Sequence, residues 1–450
     1  MSRILLVSAD VIGPKMAGPG IRAWEFARRL ALEHDVTVAA PPPIKVPEAG
    51  FKLVEAVRSV IDQEVEHADA LVIQGSALDL FPSLRRTEVP LVVDLYDPYI
   101  LENLEVHAQQ PMTSRLMIHD QDLAVLRQQI TAGDFFLCAS ERQRYLWLGM
   151  LAALNRVNPL TYAQDPTLRH MLAVVPFGLP DLPLRPGGKA IRGVLPGVAD
   201  DDVVMLWGGG IWDWFDPLTL IEAVARVVPD HPELKLVFMG TTHPNVSVPK
   251  PGMVARAAAL SDSLGLTDRH VFFCGGWVPY EERQNFLAES DIGVSLHLHH
   301  LETTFSFRTR ILDYLWAGLP MLLTSGDSMA ELAEQEGLGV VVAPQAVDQA
   351  VDGILRLVED GAYRESCGRA VREVATRFTW SEVCRPLLDF CRAPYRSPDA
   401  ARRVTAANPG LGARQPRREL LLRKAWLSVR RDGVGPFASR TYRYLRRRLT

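Results

Sequence analysis

The sequence contains no uninterrupted run of 18 apolar residues, so it offers no membrane-spanning helix. Its N-terminal apolar run, residues 3–9, is too short for a signal peptide and meets Asp10 at once. Cysteine is scarce: Cys138, Cys274, Cys367, Cys384 and Cys391 are odd in number and form no C-x-x-C pair. That argues against a disulfide framework and points to reduced, mostly buried thiols in a cytosolic protein. There is no internal repeat and no low-complexity tract ahead of the C-terminal tail.

Apolar material, by contrast, is ample. Hydrophobic residues fill 48% of 450 positions, enough for full-sized cores, and that length predicts two domains. The net charge of −4 conceals an asymmetry. Residues 391–450 hold 16 Lys and Arg against 3 Asp and Glu, whereas the preceding residues hold 33 against 50. An acidic body with a basic tail predicts an anionic partner surface. Residues 419–431 and 438–449 have helical periodicity, with Trp426 and Tyr442 beside arginines. Such basic amphipathic helices suit an anionic membrane interface, reached through residues 414–450. No recognition motif for nucleic acid accompanies the charge. The competing reading docks the tail on the acidic body.

Residues 3–9 read as a buried parallel strand. Further apolar runs at 35–40, 70–74, 90–95, 135–139 and 174–178 alternate with helical patterns such as 21–32. Prolines and glycines then crowd residues 176–197, a linker signal. The alternation restarts with strands at 203–207, 234–239, 271–274, 292–296, 321–324 and 340–342. Strands spaced by helices mean βαβ units and parallel sheets. The α/β expectation is therefore two Rossmann-like domains, 1–185 and 186–390, then a basic helical tail, 391–450.

Four stretches carry candidate chemistry. Gly18-Pro-Gly-Ile-Arg-Ala23 matches G-x-G-x-x-A before a helix. The motif lies about eight residues past the strand, and Ala39-Ala-Pro-Pro stands where a ribose-binding acid belongs, which argues against a dinucleotide site. Either Gly18 and Gly20 bring a helix N-terminus to a phosphate or sugar, or this is a plain loop. Gly208-Gly-Gly-Ile-Trp-Asp-Trp-Phe-Asp-Pro217 is a tighter strand–glycine–helix junction. There Gly208, Gly209 and Gly210 let backbone amides approach an anion. Trp212 and Trp214 either stack on a ligand or pack internally. His297-Leu-His-His-Leu-Glu302 has the composition of a metal site but lacks a partner motif. His297 and His299, two apart on an extended segment, either point together into a polar cleft or lie on a plain surface. Residues 305–320 read as one helix stopped by Gly318 and Pro320. Ser306, Arg310 and Asp313 share one face of it. They meet either each other, as an Arg310–Asp313 pair, or a ligand bearing hydroxyls and phosphates.

These motifs, in this order, resemble the retaining family-4 glycosyltransferases of GT-B fold. Ala317-Gly-Leu-Pro-Met-Leu-Leu323 after Asp313 is similar to the family's C-terminal signature, with Asp313 in place of its second glutamate. Val174-Val-Pro-Phe-Gly178, Cys138-Ala-Ser-Glu141 and Val271-Phe-Phe-Cys-Gly-Gly-Trp-Val-Pro279 resemble three further family segments, and the likeness covers residues 1–390. Three departures stand out. Phe305 occupies the first glutamate's position, with Glu302 three residues earlier in a longer loop. Gly210 and Phe215 stand where the family has the Arg and Lys that neutralise the diphosphate. Tyr96 replaces a frequent histidine.

The resemblance implies a nucleotide-sugar-dependent glycosyltransferase acting on a saccharide or polyprenyl-linked saccharide, with retention, in cell-envelope polysaccharide synthesis. Asp313 would hold the ribose; Arg308, Arg310 and Gly208–Gly210 the diphosphate. Glu302 with Gly18 and Gly20 would face the transferred sugar, Asp97 and Tyr96 the acceptor. Trp212 and Trp277 would flank the donor. No metal and no cofactor is expected, and no nucleic acid. The expected location is cytoplasmic, at the inner face of the membrane. Competing readings are another GT-B reaction, such as epimerisation or inverting transfer, and a non-catalytic membrane-associated scaffold.

Overall fold

The computed structural model describes residues 1–14, 16–44, 50–241 and 252–405. The tail segment 414–450 lies outside the described residues. Two parallel sheets organise the rest. The first contains β1 (Arg3–Val7), β2 (Asp35–Ala40), β3 (Lys52–Glu55), β4 (Ala70–Ile73), β5 (Leu91–Asp94), β6 (Phe135–Cys138) and β7 (Leu172–Val174). Its spatial order is β3-β2-β1-β4-β5-β6-β7. The second contains β8 (Val203–Trp207), β9 (Leu234–Phe238), β10 (Val271–Phe273), β11 (Ile292–Ser295), β12 (Met321–Thr324) and β13 (Gly339–Val342), in the order β10-β9-β8-β11-β12-β13. Central strands such as β4, β5, β6 and β12 are buried throughout, which is why they are written as unbroken apolar runs. Both sheets are doubly wound, and each reverses strand order beside its first strand, where open α/β sheets place ligands.

Some elements differ from expectation. β3 was not anticipated. It is a half-exposed edge strand, Lys-Leu-Val-Glu, too polar and short to stand out. The expected strand 174–178 ends at Val174, because Val175 and Pro176 turn their carbonyls to the Arg22 guanidinium. The single helix expected over 305–320 is two: Leu301–Phe305 and Thr309–Ala317. Between them Ser306–Arg308 is extended or irregular, so Ser306 leaves the face shared by Arg310 and Asp313. Gly318 caps the second helix at φ 72°, the left-handed stop its sequence announces.

The chain crosses between the sheets twice. The two crossings lie side by side, with the Leu179 amide bonded to the Phe378 carbonyl and the Trp380 amide to that of Leu179. Helix Arg385–Arg392 then packs on the first domain, where Phe390 stacks on Phe135 at 5.0 Å. Residues 396–403 continue there. Asp399 pairs with Arg156 at 2.8 Å, and Arg396 with Asp134 at 3.1 Å. The first basic residues after 391 are thus tied into the globular body. All five cysteines are free thiols, four of them buried. Among the described residues, no helix is long and apolar enough to cross a membrane.

Candidate active site

The loops at the carboxyl ends of β1, β5, β8, β9, β10 and β11 enclose a cavity of about 590 Å³ between the domains. Gly18, Asp97, Gly208, Gly209, Gly210, Trp212, Trp277, Glu302, Arg308, Arg310 and Asp313 all line it. Gly20, expected beside Gly18, does not. The glycines open helix Gly18–Leu30 rather than a loop, and a Cβ on Gly20 would stand 2.6 Å from the Val11 carbonyl oxygen. Its role is close packing.

Asp313 is not paired with Arg310. Its Oδ1 accepts from Arg283 Nε at 3.0 Å, and the Arg283 guanidinium lies over the Tyr280 ring at 3.8 Å. Tyr280 in turn reaches the first domain, donating to Glu25 Oε1 at 3.3 Å. The carboxylate is thereby fixed at the cavity wall, its side chain still partly exposed.

Arg310 lies beneath the glycine junction. Its Nη2 donates to the Gly210 carbonyl at 2.8 Å, and its guanidinium sits 4.1 Å from the Phe215 ring centroid. Nη1 is buried without a hydrogen-bond partner. Burial pushes its pKa down to about 10, so the side chain stays charged at neutral pH. An unpaired buried donor of this kind costs free energy unless a ligand satisfies it. The Gly208 amide, however, is already committed, since it donates to Tyr314 Oη at 2.8 Å. Only Gly209 and Gly210 remain of the expected amide cradle.

Arg308 is likewise committed. It forks onto Glu302, Nη1 to Oε1 at 3.2 Å and Nη2 to Oε2 at 2.9 Å, both residues buried. Its charge is balanced locally by Glu302, while its Nε is buried without a hydrogen-bond partner and the residue lines the cavity. Glu302 itself reaches the cavity although it is out of register with the family glutamate. The longer loop after β11 coils into helix Leu301–Phe305 and turns Glu302 inward, while Phe305 is absent from the cavity wall. His297 does not line the cleft either. It is buried and bonded through Nε2 to Asp327 Oδ2 at 3.1 Å, whereas His299 is exposed. Trp212 and Trp214 stack in parallel, centroids 5.3 Å apart, at the cavity edge.

The first-domain wall is acidic. Asp97 and Glu102 share a side-chain hydrogen bond and face Glu302. Burial, then the Glu302 charge, raises the Asp97 carboxyl to about 7, and burial with the Asp97 charge drives Glu102 up as well. Behind them Arg22 forks onto Asp94 at 2.7 and 3.0 Å, both fully buried, and lies 4.8 Å from the Tyr96 ring centroid. Sequence reasoning missed Glu102, Arg283 and Arg22. Arg22 was hidden inside a motif read for its glycines. Glu102 and Arg283 had only their sequence neighbourhood, after Asp97-Pro98 and Tyr280, as a signal.

Residues 214–374 match the family model of glycosyl transferases group 1. A D-inositol 3-phosphate glycosyltransferase from Saccharomonospora viridis is 27% identical over 229 residues, 49% of this chain and 49% of its own. The chain thus spans about half the length of that curated relative. Among solved structures, sucrose-phosphate synthase from Thermosynechococcus elongatus superposes with a TM-score of 0.61 at 15% identity, over 87% of this chain and 98% of that one. Anabaena HepE in complex with UDP and glucose gives 0.62 at 14% identity, over 87% and 100%. At such identities the likeness is one of fold. The fold is that of GT-B proteins, and residues 214–374 are similar to glycosyl transferases group 1.

Proposed function

We propose that the protein transfers a sugar from a nucleoside-diphosphate donor to a hydroxyl of a saccharide or polyprenyl-linked saccharide, with retention of configuration, in cell-envelope polysaccharide synthesis. The observation that carries this reading is Arg310 Nη1, a buried and unpartnered cation beside an open glycine junction, in a cavity that Asp313 also lines. Arg310 and the Gly209 and Gly210 amides hold the diphosphate. As the bond from the anomeric carbon to phosphate breaks, its electron pair moves onto the leaving diphosphate, and fixed donors aimed there lower the barrier. Asp313 accepts the ribose hydroxyls. Glu302, steadied by Arg308, faces the transferred sugar, and Asp97 and Tyr96 face the acceptor. HepE bound to UDP-glucose supports a nucleotide-sugar donor.

The test is a thermal-shift panel of UDP-, GDP- and dTDP-sugars, followed by NMR of the product's anomeric proton. The reading fails if no nucleotide sugar stabilises the protein; inversion would refute retention alone. We propose further that residues 414–450 hold the enzyme at an anionic membrane. Full-length protein should then co-sediment with liposomes containing anionic lipid, less so at high salt. Indifference to such liposomes at low salt refutes the anchor.

A further inference from the structure

Asp313 is one end of a chain of contacts that crosses the cleft. Its Oδ1 accepts from Arg283 Nε at 3.0 Å. The Arg283 guanidinium is held in turn by two rings, 3.8 Å from the Tyr280 centroid and 5.0 Å from that of Trp316, and its Nη1 donates to the Tyr280 carbonyl. Tyr280 is gripped from the first domain at two atoms. Its hydroxyl donates to Glu25 Oε1 at 3.3 Å, and its backbone amide donates to the Pro14 carbonyl at 3.0 Å. Glu25, Tyr280 and Arg283 are all buried, whereas the Asp313 side chain keeps 24% of its surface open where it lines the cavity. Glu25 stands outside that lining, on helix Gly18–Leu30. A partly buried ion pair adds little net stability. What it does fix is orientation, because the planar guanidinium fork permits few geometries.

We infer that Asp313 is aimed from the other domain. Glu25, through Tyr280 and Arg283, positions the carboxylate that accepts the ribose hydroxyls, so selection of ribose over 2′-deoxyribose belongs to the two-domain site and not to the second domain alone. This rests on the nucleotide-donor reading and adds three positioning residues to it. A carboxylate held in register rejects a nucleotide that lacks the hydroxyl it accepts from, and one charge-assisted bond corresponds to about tenfold in affinity. A carboxylate free to swing between rotamers loses that discrimination first, while contacts to the base and the diphosphate remain.

Calorimetry on the full chain compares UDP with 2′-deoxy-UDP and GDP with 2′-deoxy-GDP, with dTDP alongside. For whichever base binds, the wild type should prefer the ribonucleotide by about tenfold. In Arg283→Met, in Tyr280→Phe and, from the first domain, in Glu25→Leu that preference should shrink severalfold. Glu25→Gln, whose amide oxygen still accepts from the Tyr280 hydroxyl, should retain it. Loss of the Arg283 charge acts on both nucleotides alike, so the ratio separates aiming from electrostatics and from general loosening. Tyr280→Phe keeps the ring and loses one hydroxyl, and it carries the test if Arg283→Met does not fold. If no nucleoside diphosphate binds, the donor reading fails and the inference falls with it. The donor reading stands and the inference is overturned if dTDP alone binds or if the wild type shows no ribose preference. It is overturned equally if Tyr280→Phe or Glu25→Leu keeps the full preference, or if Glu25→Gln loses as much as Glu25→Leu.

Discussion

The chain contains two strand–glycine–helix junctions in equivalent places of two similar sheets, and they serve different ends. At the first, Gly20 is glycine because the Val11 carbonyl leaves no room for a Cβ. Arg22, two residues on, is buried against Asp94 and strand-end carbonyls. The one cation there is turned inward. At the second, Gly209 adopts φ 94° with nothing within 4 Å of a Cβ position. The arginine beneath it keeps a donor unpaired. The first junction is closed packing and the second an open cradle. What separates them is what surrounds the missing side chain, and the glycine spacing alone does not reveal it.

Four changes would break or sharpen that contrast. The largest effect belongs to the closed junction. Arg22→Met strands the Asp94 carboxylate in the core, and should cost about 3–5 kcal/mol in denaturant unfolding. A loss below 1 kcal/mol would mean the pair is not the lock described. At the open junction, Arg310→Ala should leave the fold intact yet lower kcat/KM by a factor of roughly ten to a thousand, as for one lost transition-state contact. Next, Gly20→Ala should destabilise by about 1–3 kcal/mol through overpacking. Gly209→Ala, by contrast, carries only the backbone strain of positive φ, about 1 kcal/mol. Equal losses at the two glycines would erase the distinction between junctions.

A separate test concerns pH. Asp97 faces Glu102 on its own side of the cleft and Glu302 with Arg308 across it, with Asp94 behind. Its carboxyl is raised to about 7 by burial and then by the Glu302 charge. A carboxyl raised on folding favours the folded state below its unfolded pKa. That contribution is lost as pH rises toward the folded value. Stability should therefore fall between about pH 4 and pH 7 and level off above. Asp97→Asn should flatten this slope in thermal melts taken across the window. An unchanged slope would place the titration on another group.

Much of this architecture could be read from the residues. Buried strands are apolar runs, and Gly318 and Pro320 mark a helix stop. Trp207-Gly208 to Asp216-Pro217 announces a strand, a loop and a capped helix, and Asp216 does cap it through the Thr219 amide. The site was legible as a set of residues but not as a set of partnerships. Sequence adjacency suggested that Arg308 and Arg310 act alike. Yet the irregular turn at Ser306–Arg308 points one at Glu302 and the other at Gly210. Asp313 found its partner in Arg283, which only the tight turn Tyr280–Glu282 after Pro279 brings near. His297 was lost to Asp327, a helix cap thirty residues on. Long-range pairing of charges depends on tertiary packing, and a one-dimensional pattern carries little of it.

The central claim is that the second junction holds a diphosphate through Arg310. Calorimetry on the wild type and Arg310→Ala should compare the preferred nucleoside diphosphate with its parent nucleoside. The account predicts that the substitution weakens the diphosphate by about tenfold or more, as expected for one charge-assisted bond, while the nucleoside's affinity is unchanged. Equal weakening of both ligands, or of neither, would contradict it.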